Sequence, residues 1–166
     1  MTLRLTPAVV RCDASATRAA APGPTSGTSA TERWPHSSLR QTVAEATDRI
    51  TLHALELTIH QATVTAGGSS QAASLSFDED AETVTLALPA AVPAGPATLH
   101  FSFTGTLNDQ LRGFYRSSYT DADGNPATMA TTQFEATDAR RCFPCWDEPA
   151  VKATFVVTLT VPDKLA

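Results

Sequence analysis

From Val43 onward, apolar side chains recur at every second residue in short runs that keep changing phase, and only a β-rich chain with frequent turns accommodates that pattern. In Arg49-Ile50-Thr51-Leu52-His53 the apolar face is Ile50 and Leu52. The phase then shifts so that Leu55, Leu57 and Ile59 share a face, which predicts a bend or bulge near Ala54. Leu75 and Phe77 lead into the acidic turn Asp78-Glu79-Asp80. Val84, Leu86 and Leu88 then alternate with Thr83, Thr85 and Ala87, a hairpin pattern. Leu99, Phe101 and Phe103 mark a further strand. Phe114 to Tyr119 is followed by the turn-forming Asp121-Ala122-Asp123-Gly124-Asn125-Pro126, and Met129 to Glu135 and Ala153 to Val161 complete the series. No helical stripe exceeds two turns. The expected class is all-β, an antiparallel sandwich or saddle-like sheet.

Residues 1–42 are different material. Between Asp13 and Thr31 every residue except Asp13 and Arg18 is Ala, Ser, Thr, Gly or Pro, too little apolar surface to offset the entropy of ordering the backbone. The expected division is a disordered leader at 1–42 and a β-domain at 43–166. Charge divides similarly, with +3 over residues 1–41 and −8 over the remainder, within a net of −5. An acidic domain of this kind excludes a general nucleic-acid binder, whose footprint is a basic excess. No apolar run approaches the roughly 20 residues of a membrane-spanning helix. The Arg-bearing, acid-poor leader resembles an organelle transit peptide in composition alone, and an unstructured extension is the plainer reading. Asn108 and Asn125 both fail as N-x-S/T glycosylation acceptors, which favours a cytoplasmic site, with an organelle as the alternative.

The densest chemistry lies between Thr131 and Thr154. Cys142-Phe143-Pro144-Cys145 has the spacing of a thioredoxin-type pair or of half a zinc ribbon. A redox pair needs its first thiol at a helix N-terminus in a βαβ context, whereas the surroundings here are β. A structural zinc would need two more ligands, while Cys12 lies in the leader and His36, His53, His60 and His100 are scattered singly. Structural thiols beside Trp146 fit better. On a strand, Gln133 and Glu135 project to one face and Phe134 to the other, so an amide and a carboxylate sit side by side while Phe134 enters the core. Such a carboxylate suits a cation, for instance the ammonium of a peptide N-terminus. Periodicity alone favours a solvated strand face. Asp138, Arg140, Arg141, Asp147 and Glu148 bracket the two Cys, and such pairs ordinarily hold a loop in shape.

Met129-Ala130-Thr131-Thr132-Gln133-Phe134-Glu135-Ala136-Thr137-Asp138-Ala139-Arg140-Arg141 runs on into Cys142-Phe143-Pro144-Cys145-Trp146-Asp147-Glu148-Pro149. This stretch resembles the signature of the N-terminal domain of zinc aminopeptidases of the aminopeptidase N type, and within them the puromycin-sensitive aminopeptidase subgroup. Gly113 to Tyr119, Ile50 to Ala54 and Ala153-Thr154-Phe155 fall in the same family order, so the similarity spans about Val43 to Ala166. The resemblance implies a β-saddle domain that packs on a thermolysin-like catalytic domain and lends it part of the substrate pocket. It implies that Glu135 binds the free α-amino group of a peptide and that Gln133 lines the pocket for its first side chain. Cys142 and Cys145 stay structural.

The sequence contains neither the H-E-x-x-H helix that binds zinc nor the G-A-M-E-N loop. The expectation is a substrate-binding β-domain of a zinc aminopeptidase, incomplete at both ends, binding no zinc itself and inactive alone. A non-catalytic β module that binds a partner protein or a peptide N-terminus is the alternative, and a thiol redox protein a third. Ala153 to Val161 is uncharged, β-branched and free of Pro, so it becomes an aggregation site wherever its neighbouring strand is absent.

Overall fold

The computed structural model describes residues 8–15 and 31–160, and the side chains of 37–158. Eleven strands are present among them: β1 (Ala8–Ser15), β2 (Thr31–Val43), β3 (Thr47–His53), β4 (Leu57–Ala66), β5 (Ser69–Ala72), β6 (Ser74–Asp78), β7 (Thr83–Val92), β8 (Gly95–Thr106), β9 (Gly113–Thr120), β10 (Pro126–Gln133) and β11 (Ala153–Thr160). The only helical segment among the described residues is one 3-10 turn, Ala139–Arg141. The class is all-β. No helix there is long and apolar enough to cross a membrane.

The strands form a six-stranded sheet in the order β11-β1-β2-β8-β4-β5, a three-stranded sheet β3-β7-β6, and a separate β9–β10 ribbon. All pairings are antiparallel except β1 with β11, which run parallel. The period-two runs fill the space where the two larger sheets contribute to one core. Leu39 of β2, Val64 of β4, Leu99 and Phe101 of β8 come from the first sheet, Val84 and Leu86 of β7 from the second, each at most 1% exposed. The hairpin read from Leu75 to Leu88 is β6–β7, with Phe77 opposite Val84 and Asp78 opposite Thr83.

Two features differ from the reading of the sequence. The phase change at Ala54 is a change of sheet, because β3 leaves the three-stranded sheet and β4 enters the six-stranded one. Glu56, at φ +59°, turns the corner. The boundary at Val43 falls at the end of β2. Residues 37–42, assigned above to the leader, alternate as Ser37, Leu39 and Gln41 inward against Ser38, Arg40 and Thr42 outward. Two of the three inward side chains are polar, and the Ser37 hydroxyl and Gln41 amide are buried with no hydrogen-bond partner among the described residues. That leaves Leu39 as the one large apolar residue, too few for a hydrophobic period to register. β1 also falls within that stretch. The remainder of the leader, and Val161 to Ala166, lie outside the described residues.

β11 ends the six-stranded sheet, with β1 on one side and no strand on the other among the described residues. Both its faces are open, since Phe155, Val156 and Val157 are 54%, 48% and 61% exposed. Two outcomes follow from this packing. Phe101→Ala, in the central strand β8, lowers stability by about 3–5 kcal/mol, read as an earlier urea midpoint at unchanged slope. Val157→Lys, which charges the open strand, reduces concentration-dependent association of the purified chain in sedimentation velocity; unchanged association would exclude β11 as the contact.

Candidate functional site

β10 ends at Gln133, and the chain leaves it through Phe134 and a turn that begins at Glu135. Gln133 and Glu135 are exposed, while Phe134 between them is half-buried against the core. Phe134 meets the buried Phe143 edge-on, with ring centroids 5.8 Å apart and planes at 87°. Phe143 in turn contacts Phe155 of β11 at 6.0 Å. The aromatic anchor sets the phase, and both polar neighbours are directed to solvent as the spacing predicts. The Glu135–Ala136 peptide is cis. The chain then closes a turn in which the Asp138 N–H donates to the Phe134 carbonyl at 3.0 Å. Glu135 forms no hydrogen bond or ion pair among the described residues.

Immediately beyond lies a charge cluster of a different kind. Arg140 is 7% exposed. Its Nε donates to Asp147 Oδ2 at 3.0 Å and its Nη1 to Glu82 Oε2 at 2.8 Å, while its backbone N–H donates to the same Asp147 oxygen at 3.2 Å. Burial works against the charged guanidinium, but the bonds to Asp147 and Glu82 outweigh it and hold the pKa above its ordinary value. Arg141 Nε donates to Asp138 Oδ1 at 2.8 Å, and its Nη1 pairs with Glu56. Burial opposes this charge too, and the bonds to Glu56 and Asp138 again raise the pKa. The turn carrying both arginines is also sewn to the sheet corner by the backbone, because the Leu55 N–H donates to the Arg140 carbonyl at 3.0 Å.

The Cys142–Cys145 loop is clamped from the same corner. His53 and Cys145 exchange both backbone hydrogen bonds, at 2.8 and 3.1 Å, and the Asp147 N–H donates to His53 Nδ1 at 3.2 Å. Cys145 is buried, Cys142 half-buried, and neither is in a disulfide among the described residues. Accepting a bond at Nδ1 requires a lone pair there, so the neutral Nε2–H imidazole fits this site. Burial first, and then the positive charge of Arg140, lower the His53 pKa, against the opposing pull of Glu148, Asp147 and Glu82.

The structure therefore brings Asp138, Arg140, Arg141 and Asp147 together, as their clustering in sequence predicts. Glu148 stands 3.8 Å from His53 Nε2. Glu56, Glu82 and His53 are partners that sequence reasoning missed. They come from distant corners, and the only local mark at two of them is the left-handed backbone of Glu56 and Glu82, at φ +59° and +54°, which side-chain type does not reveal. Among the described residues no three His, Cys, Asp or Glu side chains converge as a metal site. No chemistry is assigned to a zinc ion among the described residues.

The peptidase M1 N-terminal domain family matches residues 35–166. Aminopeptidase M1-B of Oryza sativa subsp. japonica is 48% identical over 123 residues, covering 74% of this chain and 14% of that protein. Puromycin-sensitive aminopeptidase of Caenorhabditis elegans is 42% identical over 132 residues, covering 78% of this chain and 14% of that protein. A yeast protein named aminopeptidase 2, mitochondrial (Saccharomyces cerevisiae) is 44% identical over 118 residues, covering 69% and 12%. The chain spans about one seventh of the length of these curated relatives.

The His53 environment gives a signed pH dependence. Above the ordinary imidazole range, about pH 6.5, both states are neutral and the contribution is flat. As pH falls through that value the unfolded chain takes up a proton that the folded one refuses, so stability drops until the lower folded pKa is reached. His53→Asn removes this segment of the curve. Urea midpoints of native chain and variant at about pH 8 and about pH 5 should converge as pH falls; parallel curves would show that His53 is not the titrating group.

Proposed function

This chain belongs to the peptidase M1 N-terminal domain family, and from that premise we propose that it is the substrate-amine-binding part of a zinc aminopeptidase that removes single N-terminal residues from peptides. Glu135 accepts charge-assisted hydrogen bonds from the α-ammonium group, and Gln133 lines the wall against which the first side chain rests. One observation carries the reading: the Glu135 carboxylate is exposed at the end of β10 and has no partner among the described residues, so it is available to an incoming cation.

A carboxylate in open water binds an ammonium weakly, since exposed ion pairs give about 0–1 kcal/mol. The same pair in a site closed to water is worth more, and truncating one partner then costs about 2–5 kcal/mol. Glu135 is accordingly one wall of a pocket whose other wall is a catalytic domain bearing the H-E-x-x-H zinc site. That requirement explains how a domain without a metal site serves a metallopeptidase. The partner of this domain is thus the catalytic domain, and its ligand a peptide N-terminus. The reading places this work in the cytoplasm, on the lack of glycosylation acceptors, with an organelle as the alternative given by the Arg-bearing leader.

The test is a chimera in which residues 35–166 replace the matching segment of the Caenorhabditis elegans puromycin-sensitive aminopeptidase. The chimera hydrolyses aminoacyl amides, and Glu135→Gln lowers kcat/KM about thirtyfold or more, the equivalent of at least about 2 kcal/mol. A Glu135→Gln chimera with unchanged kcat/KM would remove the carboxylate from the site. Tight capture of amine-terminated peptides by the 166-residue chain alone would instead favour a self-sufficient binding module.

A further inference from the structure

The ribbon that carries Gln133 and Glu135 is seated on the Arg141 turn at one point. Gly113 opens β9 and pairs across the ribbon with Gln133, the last residue of β10. It is buried and adopts φ +69°, a conformation that residues with a Cβ rarely take. A Cβ at position 113 would stand 2.8 Å from Arg141 Cβ and 3.4 Å from the Asp138 carbonyl oxygen. The first distance is shorter than carbon atoms tolerate, so either the ribbon or the turn would have to move. The turn is the stiffer of the two, because Arg140 fastens it to Asp147 and Glu82 and the Leu55 N–H holds its carbonyl. The ribbon therefore yields, and the displacement falls on Gln133 opposite and on Glu135 two residues later.

We infer that Gly113 is a positioning residue: its missing side chain lets the end of the β9–β10 ribbon close onto the Arg141 turn and so sets where the Glu135 carboxylate stands. This rests on the reading of Glu135 as the amine receptor. Residue type at 113 thereby controls amine recognition without touching the substrate. The backbone on the far side is held independently, since Asn108 Nδ2 donates to the Arg112 carbonyl at 3.1 Å and the Arg116 N–H donates to the Asn108 carbonyl at 2.7 Å. Movement forced at 113 is thus transmitted along the ribbon end and is not absorbed in the preceding loop.

The experiment uses the full 166-residue chain, labelled so that the Glu135 side-chain carboxyl carbon is observed by NMR. It is titrated with trialanine amide bearing a free amine and with its N-acetyl counterpart. The native chain responds to the free amine alone. Gly113→Ala weakens the apparent affinity about fivefold, near the full worth of an exposed ion pair. Gly113→Ala combined with Arg141→Gly removes the opposing Cβ while Arg140 still anchors the turn and leaves only the left-handed backbone of position 113 strained, so it recovers part of the lost affinity. A Gly113→Ala chain with native affinity, or a folded double variant no tighter than Gly113→Ala alone, overturns the inference. Should Gly113→Ala fail to give a dispersed spectrum, the double variant and the native chain decide. Proximity of the Gly113 Hα to the Arg141 Hβ must be visible as a nuclear Overhauser effect in the native chain, and its absence overturns the proposal. The proposed pocket needs a second wall, so a native chain that responds too weakly to titrate is replaced by the chimera. There Gly113→Ala lowers kcat/KM about fivefold, and an unchanged value overturns the inference. The receptor reading itself falls only if Glu135→Gln leaves the chimera unchanged.

Discussion

Arg140, through its buried guanidinium and its backbone carbonyl, ties the loop after the Cys pair to two corners of the three-stranded sheet. Its bonds reach Asp147 in the loop after the Cys pair and Glu82 at the tip of the β6–β7 hairpin, while its backbone carbonyl receives the N–H of Leu55 at the β3–β4 corner. Taking such a charge out of water costs several kcal/mol unless its donors are met, and here carboxylates and carbonyls meet them on several sides. Loss of either carboxylate leaves part of the guanidinium's donors unmet in a site that water reaches poorly. The arrangement tolerates little movement for that reason, and everything resting on the turn inherits its position.

What rests on the turn is the ribbon. Apart from a single bridge from Tyr115 to Asn108, β9 and β10 pair with each other alone among the described residues, and a two-stranded ribbon has little stability of its own. Its placement depends on its ends. At one end Asp121 accepts the backbone N–H of Asn125 at 2.8 Å and of Asp123 at 2.9 Å, with the Asn125 bond chief among the influences that lower its pKa. The other end is fixed by Phe134 against Phe143 and by the absence of a side chain at Gly113. Side chains at that end are consequently more exactly directed than those along the ribbon. That is the property required of a group that recognises a ligand by position as well as charge.

Strands with a regular apolar period were visible before any coordinates, because burial of one face leaves a two-residue rhythm. Val84, Leu86, Leu88, Leu99, Phe101 and Phe103 illustrate this, and all are buried. β2 was hidden because Ser37 and Gln41 occupy inward positions that the rhythm needs filled by apolar groups. The Asp and Arg residues around Cys142 were visible as a cluster, being close in sequence. Glu56 and Glu82 were not, since a long-range ion pair leaves no trace in local pattern and depends on where two turns meet in space. Gln133 and Glu135 stood out from their alternation about Phe134, but that pattern alone describes any solvated strand face. Only the family resemblance singled them out as an amine site. The seat at Gly113 is invisible to periodicity altogether, because it concerns an atom the residue lacks.

Four carboxylates lie in the segment from Thr131 to Thr154, and their surroundings separate them. Asp138 is matched by Arg141, and Asp147 by Arg140 and by backbone N–H donors. Glu148 stands beside His53. A carboxylate whose acceptor sites are occupied can receive a further cation only by giving up bonds it already has, so it is a poor receptor whatever its exposure. Glu135 and, apart from its distant approach to His53, Glu148 keep their acceptors open, and of the two Glu135 stands at the end of the ribbon. A carboxylate left unmatched in a segment that matches its others so closely contributes nothing to holding the fold. On the proposed reading, the charge that neutralises it is the ammonium of a peptide N-terminus.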